Sequence, residues 1–236
     1  MAAFGTLKSL APTISVGMMT ADLMNLGRDI SLLAETEVGI LHFDVMDGCF
    51  CPSMTIGPPL IKAVKTPMLK DVHLMISDPL NKVADYVAAG ADMITVHIES
   101  DPTHIHRVLQ SIAKMTNAND PERGIVRGIA INPGTPIESI EPLLDEVELI
   151  VLLAINPGWG GQQFAASTKA RLSRVKKIIS DSGNDILTGL DGGITRNNIS
   201  DIAKLGADMV VTGSAVFDGK APVENAKFML GALRGN

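Results

Sequence analysis

An alternation that runs the whole length of the chain constrains the fold more than any other feature. Short runs rich in Val, Ile, Leu and Met recur at residues 7–15, 40–45, 69–75, 93–98, 125–131, 149–155, 186–190 and 209–216, and segments of helical length separate them. Strand then helix, eight times over, is the pattern of parallel strands joined by crossover helices. Eight repeats favour a closed single (β/α)8 barrel of the TIM type over an open α/β sheet. The punctuation agrees. Asp78-Pro79 and Thr135-Pro136 read as caps followed by proline in a first helical turn. Gly90 and Gly206 each precede Ala-Asp and an apolar run, where a left-handed glycine closes a helix before the next strand. No Pro/Ser/Gly-rich linker interrupts the 236 residues, so one barrel domain spanning 1–236 is expected.

Composition supports that architecture. Apolar residues make up 46% of the chain and aromatics only 3%, so the core must be aliphatic, as a parallel sheet covered by helices requires. The formal charge is −6 with no Lys/Arg run, which argues against nucleic acid or an anionic membrane as partner. No stretch reaches the roughly 18 apolar residues of a membrane span. The two cysteines, Cys49 and Cys51, form no disulfide framework, and a reduced cytoplasmic location is expected.

In such barrels chemistry sits at the carboxyl ends of the strands. The second run ends His42-Phe43-Asp44-Val45-Met46, and alternation places His42, Asp44 and Met46 on one face. The third aligns Asp71, His73 and Met75 in the same way, and the seventh ends Leu190-Asp191-Gly192-Gly193. Any one of these polar groups could be a satisfied residue of a barrel layer. Four ionisable side chains at three interior strand ends would carry a heavy desolvation cost unless something offset it. A divalent cation held by His42, Asp44, His73 and Asp191 would do so. Two imidazoles with two carboxylates suit Zn²⁺ first, then Fe²⁺, Mn²⁺ or Co²⁺, over Ca²⁺ or Mg²⁺. Glycine clusters follow the last three runs: Gly158, Gly160 and Gly161 around Trp159, then Gly192-Gly193, then Gly213-Ser214. Exposed backbone N–H groups there would hold a phosphate, as the last loops of this fold do.

These segments resemble the signature motifs of the ribulose-phosphate 3-epimerase family, as do Leu10-Ala11-Pro12 and Ile131-Asn132-Pro133-Gly134-Thr135-Pro136. The resemblance covers roughly residues 10 to 217, with the motifs in family order. It implies a metal-dependent isomerase that inverts C3 of D-ribulose 5-phosphate to give D-xylulose 5-phosphate. By motif, His42, Asp44, His73 and Asp191 would bind the metal, and Asp44 and Asp191 would be the two acid/base groups. Thr13, His73 and the segment Gly158, Trp159, Gly160 and Gly161 would bind the sugar phosphate with Gly192, Gly193, Gly213 and Ser214. Met46 and Met75 would form an apolar floor, and a homo-oligomer is implied.

Four departures from the family pattern bear on the sugar. Thr13 replaces the usual serine, residues 15–20 form a longer loop, Leu153 replaces a methionine, and Cys49 and Cys51 follow the second-strand motif. A 3-epimerase for another ketose phosphate, such as allulose 6-phosphate, is therefore the alternative. Another phosphate-binding barrel enzyme, such as a decarboxylase, or a non-catalytic sugar-phosphate binder stands further off. His97, His104 and His106 are expected to be structural or surface residues.

Overall fold

Eight strands pair in chain order, every neighbour parallel, and the eighth closes on the first. They are β1 (Thr13–Gly17), β2 (Ile40–Met46), β3 (Leu69–Met75), β4 (Met93–His97), β5 (Val126–Ile131), β6 (Leu149–Leu153), β7 (Leu187–Asp191) and β8 (Met209–Thr212). The computed structural model describes residues 2–235. The helices are α1 (Ala3–Leu10), α2 (Leu26–Leu33), α3 (Pro58–Ala63), α4 (Val83–Ala88), α5 (Ile105–Ile112), α6 (Thr168–Ser182), α7 (Ile199–Ala203) and α8 (Pro222–Arg234). Residues Ile137–Glu146, between β5 and β6, form a 3₁₀ segment with Pro142 inside it. Proline has no N–H to bond back along an α-helix, so the tighter form prevails there.

Alternation along each strand sorts its residues into two cores. Outward residues such as Phe43, Val72, Ile94, Ile129, Ile150 and Val210 are buried beneath the helices. Inward residues Ile40, Leu69, Met93, Val126, Leu149 and Met209 fill the barrel near its amino-terminal end. Every strand is covered on both faces, which is why these segments read as nearly continuous apolar runs.

The structure revises several expectations. The first run, 7–15, is not one strand. Residues up to Leu10 belong to α1, whose Ala3 and Leu7 stand one helical turn apart and plug the barrel with the inward core. The chain enters β1 only at Thr13 and stays in it to Gly17. Residues 15–20 are accordingly not a loop: strand gives way to a 3₁₀ turn at Met18–Thr20. The last run ends at Thr212, and Val216 and Phe217 donate back to the Gly213 carbonyl in a turn. Asp78 holds a turn through Asn81, and α4 begins only at Val83. Thr135-Pro136 does precede a helical segment, and Gly90 and Gly206 have φ values of 90° and 70°.

Candidate active site

Register fixes which side chains meet at the barrel mouth. In the β2–β3 ladder His42 pairs with Asp71, Asp44 with His73 and Met46 with Met75, all on the inward face. Across the barrel Asp191 ends β7. One ligand atom from each of His42, Asp44, His73 and Asp191 lies within 4.8 Å of the other three. His73 Nδ1 stands 3.6 Å from Asp44 Oδ1 and 3.4 Å from Asp191 Oδ2. That nitrogen is buried with no hydrogen-bond partner, an arrangement costly enough to point to a missing group. Four N/O donors bonded to one tetrahedral cation lie about 3.4 Å apart, close to the spacing around His73. The donor set therefore fits a divalent metal.

Electrostatics within the cluster are strong. Burial disfavours charge on His42, but the carboxylates of Asp71 and Asp44 outweigh it and raise its pKa well above the ordinary value. His73 is likewise buried and likewise raised, through Asp191 and Asp44. Burial disfavours the Asp44 carboxylate too, yet His42 and His73 hold its pKa far below the usual range. A cation binding here displaces imidazole protons.

Each imidazole is also held from behind. Asp71 Oδ2 lies 2.7 Å from His42 Nδ1 and accepts from Ser15 Oγ at 2.9 Å. His73 Nε2 lies 2.9 Å from His97 Nε2, and His97 Nδ1 lies 3.0 Å from Glu99 Oε2. Burial pushes the His97 pKa down to about 4.

Above the cluster opens a cavity of about 850 Å³. Asp44 and Asp191 reach its wall, while His42 and His73 lie beneath it with 2% and 0% exposure. Gly160, Gly161, Gly192, Gly193, Gly213 and Ser214 line it, as the phosphate expectation requires. Among the described residues, no backbone carbonyl outside the regular elements accepts from the N–H groups of Gly192, Gly193, Gly213 or Ser214. Lys169 of α6 brings a cation to the same wall.

Other expected site residues stand elsewhere. Gly158 packs against Cys51 and Pro52, and Trp159 is 57% exposed; neither lines the cavity. Thr13 is wholly buried and also misses the cavity, because β1 begins with it and its mouth end lies at Gly17. The hydroxyl that reaches the cluster is that of Ser15, two residues on and on the same face. Met46 and Met75 sit on the inward face but do not line the cavity. His104 and His106 are exposed side chains beside Asp101 and Glu146, as expected of surface residues. His97 is different. It is buried against His73, and the alternation that placed Met93 and Thr95 inward would have found it. Gly17, Met19 and Thr20 line the cavity through the first βα segment.

Comparison with known proteins agrees with this geometry. Residues 13–217 match the model of the "Ribulose-phosphate 3 epimerase family". The ribulose-phosphate 3-epimerase of Escherichia coli (strain K12) is 39% identical over 208 residues, covering 87% of this chain and 88% of that relative. The chloroplastic ribulose-5-phosphate-3-epimerase of Arabidopsis thaliana is 36% identical over 217 residues, covering 91% of this chain and 74% of that one. Among solved structures, 3-hexulose-6-phosphate synthase from Salmonella typhimurium superposes with a TM-score of 0.64 over 94% of this chain and 99% of that one. Its 18% identity shows a shared fold alone. Among the described residues no helix is long and apolar enough to cross a membrane.

Proposed function

The chain belongs to the ribulose-phosphate 3-epimerase family and is an isomerase-class enzyme, and on that premise we propose that it interconverts D-ribulose 5-phosphate and D-xylulose 5-phosphate with Asp44 and Asp191 as paired acid/base groups. One observation carries the assignment. Both carboxylates converge on the same unpartnered nitrogen of His73 and both reach the wall of one cavity.

Epimerisation next to a ketone removes a proton from one face of C3 and delivers one to the other, through a planar enediolate. One group is therefore needed on each side. Asp44 lies two residues before the end of β2 and Asp191 ends β7, with β1 and β8 between them in the barrel. Asp44 is ionised at neutral pH, the form a base must have. Asp191, on the facing strand, would supply the second. A divalent cation held by His42, Asp44, His73 and Asp191, Zn²⁺ first among the candidates, supplies Lewis acidity for the charge that develops beside C3. The glycine loops and Ser214 would bind the phosphate through backbone N–H groups, with Lys169 adding charge. Thr13 supports no contact with the sugar from its buried layer, whereas Gly17, Met19 and Thr20 border the open space. That border favours a second reading, a related ketose phosphate such as allulose 6-phosphate as the preferred substrate.

Turnover of a ketose phosphate panel in D₂O tests both. The first reading expects deuterium at C3 of ribulose 5-phosphate, with Asp44→Asn and Asp191→Asn each losing about 10²–10⁴-fold or more. Full activity in either variant refutes the two-base assignment. Faster turnover of a hexulose phosphate moves the substrate to the second reading.

A further inference from the structure

We propose that His97 and Glu99 are positioning residues for the metal ligand His73, fixing its tautomer so that Nδ1 presents a lone pair to the cation. The proposal rests on the metal site put forward above and extends it to two residues that touch neither substrate nor metal.

Proton counting along the chain of contacts gives the result. Glu99 closes one end. Its Oε1 accepts from the Asn132 N–H at 2.8 Å and from the Thr135 hydroxyl, and its Oε2 lies 3.0 Å from His97 Nδ1. An ionised carboxylate only accepts, so His97 carries its proton on Nδ1. The other nitrogen, His97 Nε2, is then a bare acceptor. It lies 2.9 Å from His73 Nε2, and two ring nitrogens at that distance share one proton. His73 must donate it. With one proton committed to Nε2, Nδ1 is the nitrogen left for the cation, and it is the buried, unpartnered atom facing Asp44 and Asp191. Together these links reserve Nδ1 for the cation, which displaces the proton held there.

Packing keeps the link in place. The His97 and His73 rings lie within 15° of parallel with centroids 4.9 Å apart, meeting edge to edge as the Nε2–Nε2 contact requires, and Phe50 covers His97 at 4.7 Å. Both imidazoles are fully buried, so water does not compete for these nitrogens. The loop that holds Glu99 is braced in turn by Arg171, which donates to the Asn132 and Thr135 carbonyls at 2.9 Å each. His42 is held differently, by the Asp71 carboxylate directly.

The test is metal affinity of the full-length chain, stripped and titrated with Zn²⁺ against a chromophoric chelator, with the Co²⁺ visible spectrum recorded alongside. His97→Leu keeps the volume but removes the acceptor, and should weaken Zn²⁺ about 10–100-fold, the usual cost of losing a partner behind a ligand. It should also alter the Co²⁺ spectrum. His97→Gln can accept from His73 and donate to Glu99, so it should recover most of the affinity. Glu99→Gln places an amide donor against His97 or against Asn132 and should weaken binding like the Leu variant. If His97→Leu does not fold by circular dichroism, the Gln pair decides: unequal affinities as stated support the role, and equal wild-type affinities overturn it. Wild-type affinity and spectrum in a folded His97→Leu also overturn it. A wild-type chain that takes up no stoichiometric Zn²⁺ or Co²⁺ instead overturns the metal site beneath it, and this role with it.

Discussion

The glycines around the cavity are not equivalent, and alanine substitution at two of them should separate backbone shape from phosphate affinity. Gly193 has a φ of 69°, and a Cβ built on it would stand 2.6 Å from the Phe164 backbone nitrogen. Backbone cannot swing aside as a flexible side chain can. Gly160 lines the same cavity, yet a Cβ there meets nothing within 4 Å and its φ is not left-handed. Forcing alanine into a left-handed position costs about 1–2 kcal/mol. Pushing apart a packed contact adds about 1–3 kcal/mol, so Gly193→Ala should lose about 2–5 kcal/mol in all. A chain of this size shifts its Tm by about 2–4 °C per kcal/mol. The Gly193→Ala melting point should therefore fall by about 4–20 °C. Because the clash moves the chain at Phe164, which lines the cavity, KM for the ketose phosphate should rise at least about tenfold as well. Gly160→Ala keeps its N–H and meets no neighbour, so its Tm and KM should stay within about 1–2 °C and about threefold of wild type. Thermal melting and steady-state kinetics on the two variants are sufficient. Equal damage from both, or an unharmed Gly193→Ala, would refute the steric account of the glycine wall.

Two further outcomes are expected. Leu7 is wholly buried in the barrel plug far from the mouth, so Leu7→Ala should cost about 2–5 kcal/mol in chemical denaturation while leaving metal affinity unchanged; a smaller loss would mean that α1 does not seal the barrel. Metal binding should weaken with falling pH, because the pKa values of His42 and His73 are raised above the ordinary 6.5 by neighbouring carboxylates. The sign follows from linkage. Without metal, those charged pairs stabilise the fold fully below the ordinary value, and that contribution is lost as pH rises through the raised values. A cation needs the bare nitrogens, so its affinity should fall by about tenfold per pH unit for each proton displaced below the raised values. Chelator competition at about pH 8 and about pH 6 measures this, and equal affinity at the two would refute it.

Much of the site was legible along the chain because side-chain alternation is a local property. His42 with Asp44, and His73 two residues beyond Asp71, share a face whatever the strand pairs with, and Asp191 marks a strand end by the glycines after it. The eight alternations likewise specified a barrel, since repeated crossovers leave few other ways to cover both faces of a parallel sheet. Local period was ambiguous for residues 7–15, where Leu7 fits an apolar helix face as well as a strand, and the helix won because it fills the open end of the barrel. What only the tertiary structure decided was depth and partnership. The stagger between β1 and its neighbours places Ser15, not Thr13, beside Asp71. Closure of the β3–β4 pair brings His97 behind His73 and Glu99 behind His97. Those contacts join residues from separate strands and depend on register, and no period within one strand carries that information.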